Sequence, residues 1–197
     1  MNEKTIIQPD DVRKIRAISE NISDWNRINP YILETETLDL LPMLGANLYE
    51  QFTHDDLIKR LDNNEDVQII TDSGSVLSIN KELWTQFIEG GYYTYKQCNQ
   101  REEKKYFPGL AASVSYIAYS RLLPNQNINV TAFGVVRKTT SFSDPSDEAT
   151  IFRSANEAKK IGLEYMRQTI DYLKSEGYID DQKKITNNRY KKFKAIG

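Results

Sequence analysis

The sequence predicts a mainly α protein, a helical bundle carrying a small β-hairpin and β-arm portion. Three observations carry this reading. Apolar residues recur three and four apart through most of the 197 residues, the spacing of amphipathic helices. The run Leu110 to Tyr119 is apolar or small on nearly every side, as a helix enclosed by others must be. Two short stretches, at about 67–79 and 130–140, switch to β-prone residues beside Gly. Together they suggest a helical domain over residues 1–180 with two β insertions, followed by a basic tail over 181–197.

Taken in chain order, Gln8-Pro9-Asp10-Asp11 places a proline where a helix starts and two carboxylates in its first turn, and Val12, Ile15 and Ile18 extend that helix to about Ser19. Asn29-Pro30 starts a second, with Tyr31, Leu38 and Leu41 at helical spacing until Pro42 interrupts it or opens a new helix, and Gly45 marks a kink or tight turn. His54-Asp55-Asp56 opens a short helix on Leu57, Ile58 and Leu61 that ends at Asp62-Asn63-Asn64. Val67 to Ile79 reads as a β-hairpin turning at Asp72-Ser73-Gly74-Ser75. From Lys81, the spacing of Leu83, Trp84, Phe87, Ile88, Tyr92 and Tyr95 predicts one helix through Gly90-Gly91, a pair that close packing or a kink would explain. Arg101-Glu102-Glu103-Lys104-Lys105 reads as a solvated helix end or loop. The central helix over Leu110 to Tyr119 ends at Pro124, and Val130 to Thr140 is a second β element with Gly134 as its bulge. Asp144-Pro145 is a helix start, and Ile151, Ala155, Ala158, Gly162, Met166, Ile170 and Leu173 then form one stripe ending at Gly177.

Composition narrows the function. Twelve Tyr, seven Phe and two Trp argue for a folded chain, and a net charge of -2 gives the whole molecule no strong attraction to nucleic acid or to an anionic membrane. A single cysteine, Cys98, rules out an internal disulfide framework. The start MNEKTIIQPDD has no apolar leader, so the chain is expected to work where it is made. The uncharged run Phe107 to Ser120 falls short of the ~20 residues that span a bilayer. The expectation is therefore no membrane partner.

The sequence predicts no catalytic centre. One histidine, His54, and one cysteine cannot supply a nucleophile with its base or a zinc ligand set, and no phosphate-cradling glycine motif occurs. The adjacent acids Asp55-Asp56, Glu102-Glu103 and Asp180-Asp181 point in different directions on a helix or strand and read as solvated surface. No cofactor, metal or small-molecule substrate is expected. Tyr92, Tyr93 and Tyr95, with Tyr116 and Tyr119, read as core or subunit-interface aromatics. The charged feature that stands out is the C-terminal run Lys183, Lys184, Arg189, Lys191, Lys192 and Lys194, interleaved with Tyr190 and Phe193. That pattern suits a phosphate backbone, an acidic partner or a solubilising terminus.

Two stretches resemble a known family. Ile32-Leu33 through Leu40-Leu41-Pro42-Met43-Leu44-Gly45-Ala46-Asn47-Leu48-Tyr49 looks like the helix, Pro-x-Leu-Gly and x-x-Leu-Tyr pattern of tailed-phage head–tail connector proteins. Tyr116 to Arg121, through Asn129 to Thr139, is similar to their Bacteroides-phage and crAss-like relatives. The resemblance implies a neck-ring subunit without chemistry of its own, in twelve copies beneath the portal, continuing the DNA channel towards the tail. It places the chain in the virion neck, and in the host cytoplasm during assembly. Its partners would be copies of itself, the portal protein and further neck or tail proteins, with non-specific DNA contact in the channel. Neighbour contacts are expected from Val130, Phe133, Val135, Arg137, Lys138 and Phe142, and from Lys183, Lys184, Arg189, Tyr190, Lys191, Lys192, Phe193 and Lys194. Two other readings remain at this level, a nucleic-acid-binding accessory protein acting through the basic tail and a small carboxylate enzyme using a divalent ion.

Overall fold

A computed structural model describes residues 5–15, 25–71, 73–96, 102–125, 128–131, 134–137 and 148–179. The fold is mainly helical, with three two-stranded antiparallel β ribbons among the described residues. Its centre is α7, Gly109–Asn125, packed along α8, Glu148–Ser175. α7 buries Leu110, Val114, Ile117 and Leu122 together with Ala111, Ser113, Ser115 and Ala118. A helix with small and large buried residues all round has no solvent face, and α1 (Pro9–Ile15), α2 (Trp25–Thr35) and α6 (Lys81–Glu89) enclose it from the other sides. The α7–α8 approach is close: a Cβ built on Gly162 would lie 2.6 Å from Ile117 Cγ1 and 3.0 Å from Ser113 O. Ala155, Ala158, Met166, Ile170 and Leu173 complete the buried stripe of α8. Its outer face carries Arg167, which pairs with Glu164 at 2.7 Å and Asp171 at 3.3 Å.

Before α7 the chain makes short helices joined by sharp corners. α2 runs without a break into a π-helical turn, Glu36–Leu40, and then α3, Leu41–Leu44. Leu41 N–H donates to Glu36 O, five residues back. Pro42 has no N–H to give, and in a regular helix its ring would crowd the carbonyl four residues earlier; the widened turn just upstream relieves that conflict. α4, Ala46–Thr53, and α5, Asp55–Asp62, follow, with His54 between them as N-cap, its Nδ1 accepting from Asp56 N–H at 3.3 Å. β1, Val67–Ile70, pairs with β2, Val76–Ile79, in the register Val67↔Ile79 to Ile70↔Val76. Phe52, Trp84 and Phe87 then form an aromatic cluster with centroids 5.1–5.7 Å apart that ties α4 to α6.

Several sequence expectations are corrected. The second helix starts at Trp25, so Pro30 lies inside it; residues 16–19, the expected end of the first helix, lie outside the described residues. The helix predicted from Leu83 to Tyr95 ends at Glu89, and residues 91–96 are a strand. Glu102 to Lys105 belong to that strand's partner and are neither a helix end nor a loop. α7 ends at Asn125, one residue past the expected stop at Pro124, which sits in its last turn, where the lost N–H bond perturbs little of the helix. Gly134 opens a strand opposite Thr131 and is not a bulge. The predicted helix start at Asp144-Pro145 lies outside the described residues.

Candidate functional site

The feature that stands out from the helical body is a β ribbon, β3 (Gly91–Lys96) with β4 (Glu102–Phe107), in the register Gly91↔Phe107 to Lys96↔Glu102. Six residues per strand make an arm about 20 Å long. Its base is fixed by two glycines where the chain crosses itself. Gly90 and Gly109 have φ values of +89° and +80°, which L side chains rarely adopt. A Cβ on Gly90 would stand 2.5 Å from Phe107 O, and one on Gly109 would stand 2.4 Å from Gly90 N. The Gly90-Gly91 pair is therefore the end of α6 and the root of the arm, set by a backbone crossing that only glycine permits.

The inner face of the arm is seated on aromatics. Phe107 stacks on Tyr172 of α8 with centroids 4.0 Å apart and planes at 13°, and Tyr93 meets both edge-on at 5.8 and 5.4 Å. Burial pushes the Tyr172 hydroxyl up to about 12, so it stays protonated and can donate to Gln86 Oε1 at 3.4 Å. Gln86 Nε2 in turn donates to Tyr92 O at 3.3 Å. That carbonyl points away from β4, which makes Tyr92 and Tyr106 a non-hydrogen-bonded pair, the kind whose side chains come closest. Their rings lie 5.3 Å apart, 68% and 55% exposed. Thr94, Glu102 and Lys104 share this outer face, all exposed. On the opposite face Lys105 Nζ sits 4.2 Å above the Tyr95 ring. The described part of the arm thus offers an aromatic pair among balanced charges. Such a surface suits contact with protein better than with a phosphate backbone.

A second polar constellation is internal. The π-helical turn carries Glu36 into the core with no exposed surface, where Oε1 accepts from Ile7 N–H at 2.8 Å and Oε2 from Ile6 N–H at 3.0 Å and from Tyr49 OH at 2.9 Å. Burial outweighs these donors and pushes its carboxyl up to about 7. On the other side of the turn Arg121 of α7 donates to Thr35 Oγ1 at 2.6 Å and lies 2.8 Å from Asp39 Oδ2 and 3.4 Å from Glu34 Oε1. The Asp39 contact is an ion pair without hydrogen-bond alignment, which is why that oxygen still lacks a hydrogen-bonding partner among the described residues. These groups lock the N-terminal segment and α7 to the turn. The arrangement is structural, since its donors and acceptors are turned on one another. Among the described residues no group of three or more His, Cys, Asp or Glu could hold a metal ion, and no helix is long and apolar enough to cross a membrane.

The contact residues expected from sequence fall in two sets. Val130 belongs to β5, Ile128–Thr131, and Val135 and Arg137 to β6, Gly134–Arg137; Val130 faces Val135 and Ile128 faces Arg137 across this third ribbon. Phe133, Lys138 and Phe142 lie outside the described residues, as do Lys183, Lys184, Arg189, Tyr190, Lys191, Lys192, Phe193 and Lys194. Sequence reasoning treated Tyr92 as a helix residue and missed its exposed pairing with Tyr106. The signal was there in two β-prone runs, Tyr92-Tyr93-Thr94-Tyr95 and Lys104-Lys105-Tyr106-Phe107, but the three- and four-residue spacing continued from α6 masked it.

No curated protein and no solved structure matches the chain. A family profile described as a family of unknown function (DUF6712) matches residues 40–189. The match takes in all three ribbons, α3 to α8 and the arm, and leaves α1, α2 and most of the π-helical turn outside. It spans well over half of the 197 residues, and the chain belongs to the DUF6712 family.

Proposed function

We propose that this chain is a structural subunit of a phage neck, forming a ring that joins the portal to the tail and continues the DNA channel. The observation that carries the reading is the β3–β4 arm, rooted by Gly90 and Gly109, seated on Tyr172 and presenting the exposed Tyr92–Tyr106 pair. A ring needs a heterologous contact, in which one part of each copy fits a different part of the next. A stiff ribbon with an aromatic pair and balanced charge supplies one half of such a contact. The third ribbon, β5–β6, begins just beyond the far end of α7, so the chain carries one ribbon before and one after its central helix. The sequence resemblance to head–tail connectors points the same way.

Quantitative mass spectrometry of purified, genome-filled particles tests the reading, by comparing the copy number of this chain with that of the portal subunit. A ratio near one is expected. Absence from the particle overturns the virion reading and brings forward a nucleic-acid-binding accessory protein acting through the basic tail.

A further inference from the structure

The groove between α4, α5 and β1 has a volume of about 440 Å³ and is lined by Glu50, His54, Asp56, Leu57, Arg60 and Gln68 among others. One end of it is already closed by side chains. Gln51 Nε2 donates to Ile70 O at 2.7 Å while Ile70 N–H donates to Gln51 Oε1 at 2.9 Å, and Asn47 Nδ2 reaches the same carbonyl at 3.0 Å. In an antiparallel ladder alternate residues point their main-chain groups the same way. Gln68, two residues before Ile70, therefore turns its N–H and C=O towards the same side, where no side chain among the described residues clamps it.

The described chain ends across the β1–β2 ribbon from this groove. After α8, Tyr178 donates its hydroxyl to Ser78 O at 3.0 Å, and Ser78 is the partner of Gln68 across the ribbon. Because Gln68 turns its main-chain groups out of the β1 edge, its partner Ser78 turns outward on the β2 edge, and the Tyr178 clasp sits on the side of the ribbon opposite the groove. Eighteen residues follow, with six cations and two acids, whereas Glu50 to Asp66 holds six acids and two cations. Arg60 is engaged by Glu65 at 3.2 Å, which leaves the groove face negative. A tethered segment of this length, up to ~60 Å when extended, can pass round the two-stranded ribbon, and its tether raises its effective concentration at the groove.

We propose that residues 180–197 of the same chain occupy this groove, with lysines against Glu50 and Asp56 and main chain against the Gln68 edge. The site and its occupant do not depend on the ring reading.

The test is zero-length lysine–carboxylate crosslinking of the full chain, read by peptide mass spectrometry on the band migrating as a single chain. Crosslinks from Lys183, Lys184, Lys191, Lys192 or Lys194 to Glu50 or Asp56 are expected, and added salt should suppress them. Crosslinks that reach other carboxylates alone, or that join two copies only, overturn the proposal. Hydrogen exchange gives an independent readout: in a chain ending at Asp181 the peptide over Val67 to Ile70 should exchange at least tenfold faster than in the full chain, with peptides from α7 unchanged as the control for folding. Equal exchange at 67–70 in the two chains would also overturn it.

Discussion

At the scale of single residues the buried Glu36 makes the sharpest claim. Unfolded, it titrates near 4.5; folded, near 7. Between those values the native state holds a proton that the unfolded chain has released, so this group's contribution is full below pH 4.5 and is lost as pH rises to about 7, by up to ~3 kcal/mol. The comparison that isolates this group is between the wild type and Glu36→Gln. Thermal unfolding of both from pH 4.5 to 8 should show the wild type losing stability relative to the variant across that window. Parallel curves would show that Glu36 titrates normally in the fold. Arg121→Met should cost about 2–3 kcal/mol in denaturant unfolding, since it strips the enclosed Asp39 Oδ2 of its cation and the buried Thr35 hydroxyl of its donor. Neither role is legible in sequence. Glu34-Thr35-Glu36 places two acids on opposite sides of one turn, and their spacing does not tell that one enters the core while the other meets Arg121.

At the scale of elements, the helices were read well where an apolar stripe met a marked end, as in α5 with His54 ahead of it and α8 closing at Gly177. The β1–β2 ribbon was legible because its turn residues separate two alternating runs. The β3–β4 arm was not, because Phe87, Tyr92 and Tyr95 continue the helical spacing across a boundary made by a backbone crossing that no spacing records. That boundary can be tested by comparing glycines. Gly90, Gly109 and Gly177 all have φ near +80 to +90°, but a Cβ meets backbone at the first two and open space at the third. Gly177→Ala should therefore cost only about 1–2 kcal/mol for the left-handed conformation. Gly90→Ala or Gly109→Ala should cost clearly more, and near-ultraviolet circular dichroism should show the Tyr93–Phe107–Tyr172 cluster disturbed. Equal costs at all three positions would mean the crossing is loose.

At the scale of the whole molecule, the mainly α architecture with a small β portion follows from the pattern of the sequence, and the central place of α7 follows from its lack of a polar face. The expected contact residues from Val130 to Phe142 fall on and beyond the β5–β6 ribbon, and the exposed arm on the other side of α7 was overlooked. If the proposed ring forms through that arm, Tyr92→Ser combined with Tyr106→Ser should leave the melting temperature of the isolated subunit within about 2 °C, since both rings are mostly exposed. Sedimentation or electron microscopy should then show assembly lost. A double variant that assembles normally removes the arm from the contact.

The enclosure of α7 also governs how the chain can be made. Its apolar surface is complete once Asn125 has been synthesised, yet the helix that covers most of it ends fifty residues later, at Ser175. The clasp between Tyr178 and Ser78 joins residues 100 positions apart. On a ribosome adding about 5–20 residues per second, the central helix waits several seconds for its cover. A nascent chain arrested before α8 emerges should bind a holdase chaperone, and one arrested after Tyr178 has cleared the exit tunnel should not.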